Sequence, residues 1–414
     1  MKVGLAFGMS KSTVFFVPLL LSNLLTTSDY GLFESCLAYG SLIAIIVGCG
    51  LVAAVPYFMM VRNTTSFNGL IYLHAAVLFF LLLMLFPFFL YESISASFFL
   101  VFIFAAVINW QRIFAADMKT RSKPTLSSFS ESFLYLVIIF AALLTIKAVS
   151  IHQIAINLAI FFFPLSIILS ILMLRKHPVT SITYGSFKEL YAFALPTILP
   201  GMLLLLITTL VRLVAPVTIG TEKLAIYSFY FRFASVSVVV YQFLATVYFS
   251  EMYKRESADL DSIFTKVSLL ILFVGVVGFV SFPHVLSGVF KLFSTFKDYW
   301  ILYAVLVFFC FFWVCEAMLE SIIYRSKLSH EFLWLQLGSL GFFSVLTATV
   351  FVLNKDWLTI TLLALMHTLL MAMVVYFQMR LLAKNGISLP WLMRLNLVSI
   401  FMLIFSYSLS SVMS

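Results

Sequence analysis

The chain has 414 residues, 63% of them hydrophobic, 17% aromatic and only 10% charged. A soluble domain is about half apolar and a quarter charged, so this surplus has no place inside an aqueous fold and must face lipid. The formal charge of +9 lies mostly in short links between apolar runs, where it is a topology signal and not a mark of nucleic-acid binding.

A helical span needs roughly twenty apolar residues. In chain order the runs predict spans over 4–26, 31–61, 67–91, 93–117, 125–147, 151–174, 189–217, 223–250, 263–290, 298–324, 330–353 and 356–382. A shorter thirteenth run, 391–412, follows Pro390 and carries Arg394 near its start. No polar stretch approaches the size of a soluble domain. The first run lacks a small-residue cleavage site and is read as a span, not a removed signal. The expected fold class is therefore an all-α integral membrane protein of about twelve spans.

Placing the N-terminus in the cytoplasm puts seventeen Lys and Arg in the inner links. Five remain outside (Lys147, Lys223, Lys291, Lys297, Lys355) and three lie within spans (Arg112, Arg212, Arg232). That bias predicts an N-in, multi-pass protein. The inner link over 175–188 separates a six-span half, 1–180, from a second, 181–385, with 386–414 as an extra hydrophobic segment. Shifting the first half by 194 brings Gly31-Leu32-Phe33 onto Ala225-Ile226-Tyr227, Tyr39 onto Phe233 and Ser41 onto Ser235. Halves with an even number of spans share one orientation, as in repeats related by an axis along the membrane normal.

Signatures of soluble enzymes are absent: there is no GxSxG, no phosphate-binding glycine loop and no HExxH. The four cysteines (Cys36, Cys49, Cys310, Cys315) sit in apolar runs without metal-ligand spacing. Only His74 and His367 lie well inside spans, so neither a metal nor a cofactor is expected.

Intramembrane charge is more informative, because it is costly and faces a cavity or a partner. Arg232 lies about 13 Å into the eighth span, Arg212 lies one turn before Pro216, and Arg112 lies toward the cytoplasmic end of the fourth. Lys11 sits on the inner side of the first. A guanidinium stays charged when buried and binds phosphate through two parallel bonds; the competing reading is an ion pair that pins two helices. Among the acids, Glu316 and Glu320 share one helix face. Either one of them carries a proton, since two close carboxylates cannot both ionise cheaply, or each pairs with a cation. Glu34, one turn into the second span, is expected to touch the outer water. Pro196 and Pro200 predict a kink in the seventh span.

The stretch Leu24-Leu25-Thr26-Thr27-Ser28-Asp29-Tyr30-Gly31-Leu32-Phe33 resembles the hallmark of Wzx-type polysaccharide-unit flippases, where an amphiphilic first span ends in a short acid-Tyr-Gly loop. These belong to the multidrug/oligosaccharidyl-lipid/polysaccharide (MOP) exporter superfamily. Arg212, followed by Ala225-Ile226-Tyr227 and Arg232, is similar to that family's basic residues in spans seven and eight. The region from Arg112 to Lys123 looks like its basic link after span four. Val211 departs from the pattern, where many members place an acid, and the thirteenth run exceeds the usual twelve. The resemblance implies a MATE-like fold of two six-helix lobes around a central cavity that opens alternately to each side. It implies transport of polyprenyl-pyrophosphate-linked oligosaccharide, for O-antigen or another surface polysaccharide, across a bacterial inner membrane. The pyrophosphate would meet Arg232 and Arg212 first, then Lys11 and Arg112. H⁺ or Na⁺ coupling would use Glu316, Glu320 or Glu34. A monomer is expected, with a polysaccharide polymerase as a possible associate. The rival readings are an organic-cation exporter of the same superfamily, which would need an acidic or neutral cavity, and a membrane enzyme of polysaccharide assembly, either a polymerase or an acyltransferase.

Overall fold

The computed structural model describes residues 2–62, 64, 67–144, 149–177, 184–254, 257–326, 328–353 and 358–413. Every regular element among them is helical. Packing divides the chain into two units, Met1–Leu206 and Ile207–Ser414.

The first unit holds α1 (Lys2–Leu24), α2 (Thr27–Val47), α3 (Leu51–Pro56), α4 (Asn68–Leu90), α5 (Ala96–Thr120), α6 (Pro124–Leu143), α7 (Ile151–Lys176), α8 (Tyr184–Ala194) and the start of α9 (Ile198–Thr218). The second holds the rest of α9, then α10 (Thr221–Ala234), α11 (Val236–Lys254), α12 (Ser257–Leu286), α13 (Phe296–Arg325), α14 (Ser329–Leu353), α15 (Ile360–Lys384) and α16 (Pro390–Met413). Among the described residues, eleven helices are long and apolar enough to cross a membrane. The count is twelve if α10 and the adjoining part of α11, bent by 42°, form one span. The protein is a multi-pass membrane protein. Helix α1 is not among the eleven; Ser10, Lys11, Ser12 and Thr13 interrupt its apolar run.

Each unit is built around one central helix. In the first it is α5, with 72% of its most apolar stretch buried, packed on α2, α4, α6 and α7. In the second it is α13, also 72% buried, packed on α10, α11, α12, α15 and α16. Peripheral helices such as α4 and α16 bury only 22% and turn Phe80 and Phe401 outward, the surface expected against lipid tails. Lipid is as apolar as leucine, so close approach and not solvent exclusion holds such helices together. Gly40 shows this: a Cβ there would lie 2.6 Å from the Phe104 Cβ, so only glycine lets α2 seat on α5.

Four expectations need correction. The second span is not continuous over 31–61. It breaks at Gly48-Cys49-Gly50, where Cys49 (φ 48°) and Gly50 (φ 71°) are left-handed, and resumes as α3 and a π-helical turn, Tyr57–Val61. The Asp29-Tyr30-Gly31 segment is not a loop. It forms the first turn of α2, where the Thr26 hydroxyl accepts from the Asp29 N–H and the Asp29 charge suits the helix N-terminus. Glu34 does not touch outer water; it is 1% exposed, because it lies two turns inside a helix that starts at Thr27. The eighth span bends after Ala234, where Ser235 and Ser237 hydroxyls donate to the carbonyls of Arg232 and Ala234 and loosen the backbone ladder. The seventh span breaks as its prolines predict, at a 3-10 turn over Leu195–Thr197.

Candidate functional site

The described residues of the first unit line a partly open cavity of roughly 390 Å³ whose lining is unusual for a membrane-embedded position. Helix α1 supplies Lys11, α5 supplies Gln111, Arg112 and Lys119, and α6 supplies Glu131 and Tyr135. The helix register explains the convergence. Gln111 and Arg112 lie about two turns before Lys119 on α5, and Glu131 lies two turns after Pro124 on α6, so residues from both helices meet about 10–12 Å from the α5–α6 turn. Helix α1 is held beside them by the Ser10 hydroxyl, which donates to the Ser128 carbonyl at 2.6 Å.

The electrostatics are asymmetric. Lys119 Nζ lies 3.0 Å from Glu131 Oε1 and Lys11 Nζ lies 3.5 Å from Oε2. One carboxylate thus answers two lysines, and Arg112 makes no ion pair within 4 Å among the described residues. Three cations face one acid. Gln111 Nε2 donates to the Glu131 carbonyl at 3.2 Å, while its Oε1 is buried with no partner. Such a lining favours an anion, above all one with several oxygens that can bind the Arg112 fork and the lysines together.

Nearer the helix ends lies a separate network. Tyr72 Oη donates to Asp117 Oδ2 at 2.7 Å, and Arg121 Nε donates to Asp117 Oδ1 at 2.7 Å. His177 stacks on Tyr72. Burial first, and then the Arg121 guanidinium beside it, hold His177 below the ordinary imidazole range. This network is saturated and reads as structural.

Of the predicted phosphate contacts, Lys11 and Arg112 share this cavity. Arg212 and Arg232 lie in the second unit. The Arg212 guanidinium sits 5.1 Å from the Phe231 ring centroid, a cation–π contact from α9 to α10, and Arg232 is 9% exposed. Glu316 meets Gln378 of α15 and not a cation, and Glu320 takes the Tyr324 hydroxyl. Reasoning from sequence passed over Glu131. The signal was present, since 125–147 is a predicted span that holds a single acid. Its worth became visible only when Lys11, 120 residues away, was placed beside it.

Among the described residues, no three His, Cys, Asp or Glu side chains gather as a metal site would require.

No family model matches the chain, and no curated protein matches it. Three solved structures do. A multidrug resistance MATE family transporter of the MOP superfamily in its inward-facing conformation superposes with a TM-score of 0.58 at 14% identity, over 93% of this chain and 95% of that one. The outward-facing conformation of such a transporter gives 0.56 at 14% identity, over 94% and 96%. A MATE in complex with MaL6 gives 0.54 at 13% identity, over 97% and 95%. The fold is MATE-like. The near-complete coverage in both directions extends this to most of the chain, while identities this low establish the fold alone.

Proposed function

We propose that this protein is a transporter that moves polyprenyl-pyrophosphate-linked oligosaccharide units from the cytoplasmic to the periplasmic leaflet of a bacterial inner membrane. The observation that carries the reading is the cavity of the first unit, where Lys11, Arg112 and Lys119 face Glu131 alone. A pyrophosphate brings at least two negative charges and several acceptor oxygens, and within a membrane such charge needs fixed positive partners. The Asp29-Tyr30-Gly31 resemblance points the same way, and so does the bias of Lys and Arg toward one set of links, which predicts a cytoplasmic N-terminus. Arg212 and Arg232 give the second unit buried positive charge of its own, in keeping with an anionic cargo. In this reading the transporter works as a monomer, and a polysaccharide polymerase is a natural associate.

A second reading has one observation behind it: two of the similar solved structures are multidrug resistance transporters. An organic cation, however, would meet a net positive charge in the cavity of the first unit.

The test is reconstitution in liposomes with a short glycan on polyprenyl pyrophosphate. Wild type is expected to bring the glycan within reach of an external glycan-modifying enzyme. The Lys11→Ala/Arg112→Ala double variant is expected to lose at least tenfold in rate, and Arg112→Lys to recover only part because the fork is lost. Full activity of the double variant would remove the headgroup assignment, and uptake of cationic dyes without glycan transfer would establish the second reading instead.

A further inference from the structure

Among the described residues, Glu131 is the one acid lining the cavity of the first unit, and it sits there as a phosphate group would. Its two oxygens reach lysines on two different helices. Oε1 lies 3.0 Å from Lys119 Nζ of α5, and Oε2 lies 3.5 Å from Lys11 Nζ of α1. A carboxylate that bridges two ammonium groups and a phosphate that does so share one geometry, a single anionic group offering separate acceptor oxygens.

The bridge is anchored at its base and loose at its tip. Gln111 Nε2 donates to the Glu131 carbonyl at 3.2 Å and the Ser10 hydroxyl donates to the Ser128 carbonyl at 2.6 Å, so the α6 backbone is held against α5 and α1. The carboxylate itself lies at the cavity surface: the Glu131 side chain is 33% exposed and that of Lys119 is 62% exposed. Ion pairs this open to water are weak, and their partners exchange.

Charge balance gives the acid a purpose. Lys11, Arg112 and Lys119 alone would keep positive charge in excess around a dianion, at a depth where each charge interaction is strong. Entry would be favoured and departure slow. With Glu131 in place the lining carries two net positive charges, the number that a pyrophosphate diester neutralises. Arg112 stands outside the bridge. It lies near enough to feel the Glu131 charge, yet it makes no ion pair within 4 Å among the described residues. It is therefore the cation open to an arriving phosphate while both lysines are held.

This inference rests on the reading of the cavity as a pyrophosphate site. We propose that Glu131 is an internal competitor for that site. It holds Lys11 and Lys119 while the cavity is empty, yields them once the headgroup has met Arg112, and takes them back to drive release. No covalent bond forms or breaks, and no proton moves. The exchange also changes which helices are tied together. In the empty cavity both lysines are bound to α6; in the loaded one, α1 and α5 share the headgroup and α6 is freed from the bridge.

The test separates the competitor from the site. Calorimetric titration of the purified protein in lipid nanodiscs with inorganic pyrophosphate is expected to show binding by wild type, and binding at least tenfold tighter by Glu131→Gln. In the liposome assay the same variant is expected to reach half-saturation at lower cargo but to have a lower maximal rate, because release is slowed. Binding by wild type with no gain in Glu131→Gln would overturn the competitor and leave the headgroup site standing, whereas no binding by wild type would remove both. A maximal rate in Glu131→Gln equal to or above that of wild type would overturn the release step. A second measurement needs no neutral variant to fold. Infrared difference spectra of wild type on adding pyrophosphate are expected to show one carboxylate stretch shifting as it leaves its ammonium partners, with Glu131→Asp moving that band and so identifying it. Pyrophosphate binding without a carboxylate change would overturn the proposal.

Discussion

Gly50 shows how one residue can set the geometry of a membrane helix. Its φ of 71° is costly for any side chain, and a Cβ there would run into the Ala194 carbonyl at the end of α8. The break in the second span is thereby seated on the break in the seventh, both within the first unit. His74 of α4 braces the same place: one ring nitrogen lies 2.7 Å from the Val47 carbonyl and the other 2.7 Å from the Tyr191 hydroxyl. Gly50→Ala is expected to cost about 2 kcal/mol or more, from the strained φ plus the clash. For a unit of this size that corresponds to a melting temperature lower by roughly 4–8 °C, to be followed by thermal unfolding in detergent. An unchanged melting temperature would mean that the backbone relaxes there at little cost.

Among the elements, α16 is the one whose role was least legible. Its 24 residues give about 36 Å of helix, enough to cross the hydrocarbon core. Its attachment is specific. Asp261, near the start of α12, is 4% exposed and accepts from the Trp391 N–H at 3.1 Å and the Leu392 N–H at 3.0 Å. A carboxylate supplied by another helix thus satisfies two of the free N–H groups at the N-terminus of α16, where the helix dipole also favours it. Asp261→Ala is expected to weaken this end by about 1–2 kcal/mol. Hydrogen exchange at the first turns of α16 should then quicken roughly tenfold, with little change in α5, which serves as the internal control. The kinks follow a similar logic at different degrees of legibility. Pro196 announces its break in the sequence, whereas the bend after Ala234 rests on Ser235 and Ser237, two residues too common to be read as a break.

For the molecule as a whole, the excess of Lys and Arg on one set of links predicts orientation, and orientation decides which leaflet meets the cavity of the first unit first. With the N-terminus inside, the α5–α6 turn at Arg121–Lys123 is cytoplasmic and the α4–α5 turn near Ser93 is external. Single cysteines at Lys123 and Ser93 test this in intact cells. A membrane-impermeant thiol reagent is expected to label Ser93→Cys directly and Lys123→Cys only after permeabilisation; the reverse pattern would invert the direction of transport proposed above. The native thiols Cys36, Cys310 and Cys315 are buried, so they add little background. The repeat read from sequence has a structural echo: under a shift of 194, Thr27 falls on Thr221, and these are the first residues of α2 and α10.

The sequence by itself determined that the chain is helical, that it crosses a membrane many times and that its positive charge is sorted between two faces. Hydropathy and charge bias act residue by residue, through transfer into lipid, and need no knowledge of neighbours. It also marked Lys11, Arg112, Glu316 and Glu320 as anomalies, since any charge within an apolar run is one. Only the tertiary structure decided what those anomalies face. It set Lys11 and Arg112 around Glu131, paired Glu316 with Gln378 instead of a cation, buried Glu34, and turned the Asp29-Tyr30-Gly31 segment into the opening turn of a helix. Those outcomes depend on which side chains, far apart in the chain, occupy the same few ångströms, and in a medium of low dielectric that proximity sets the cost of each charge.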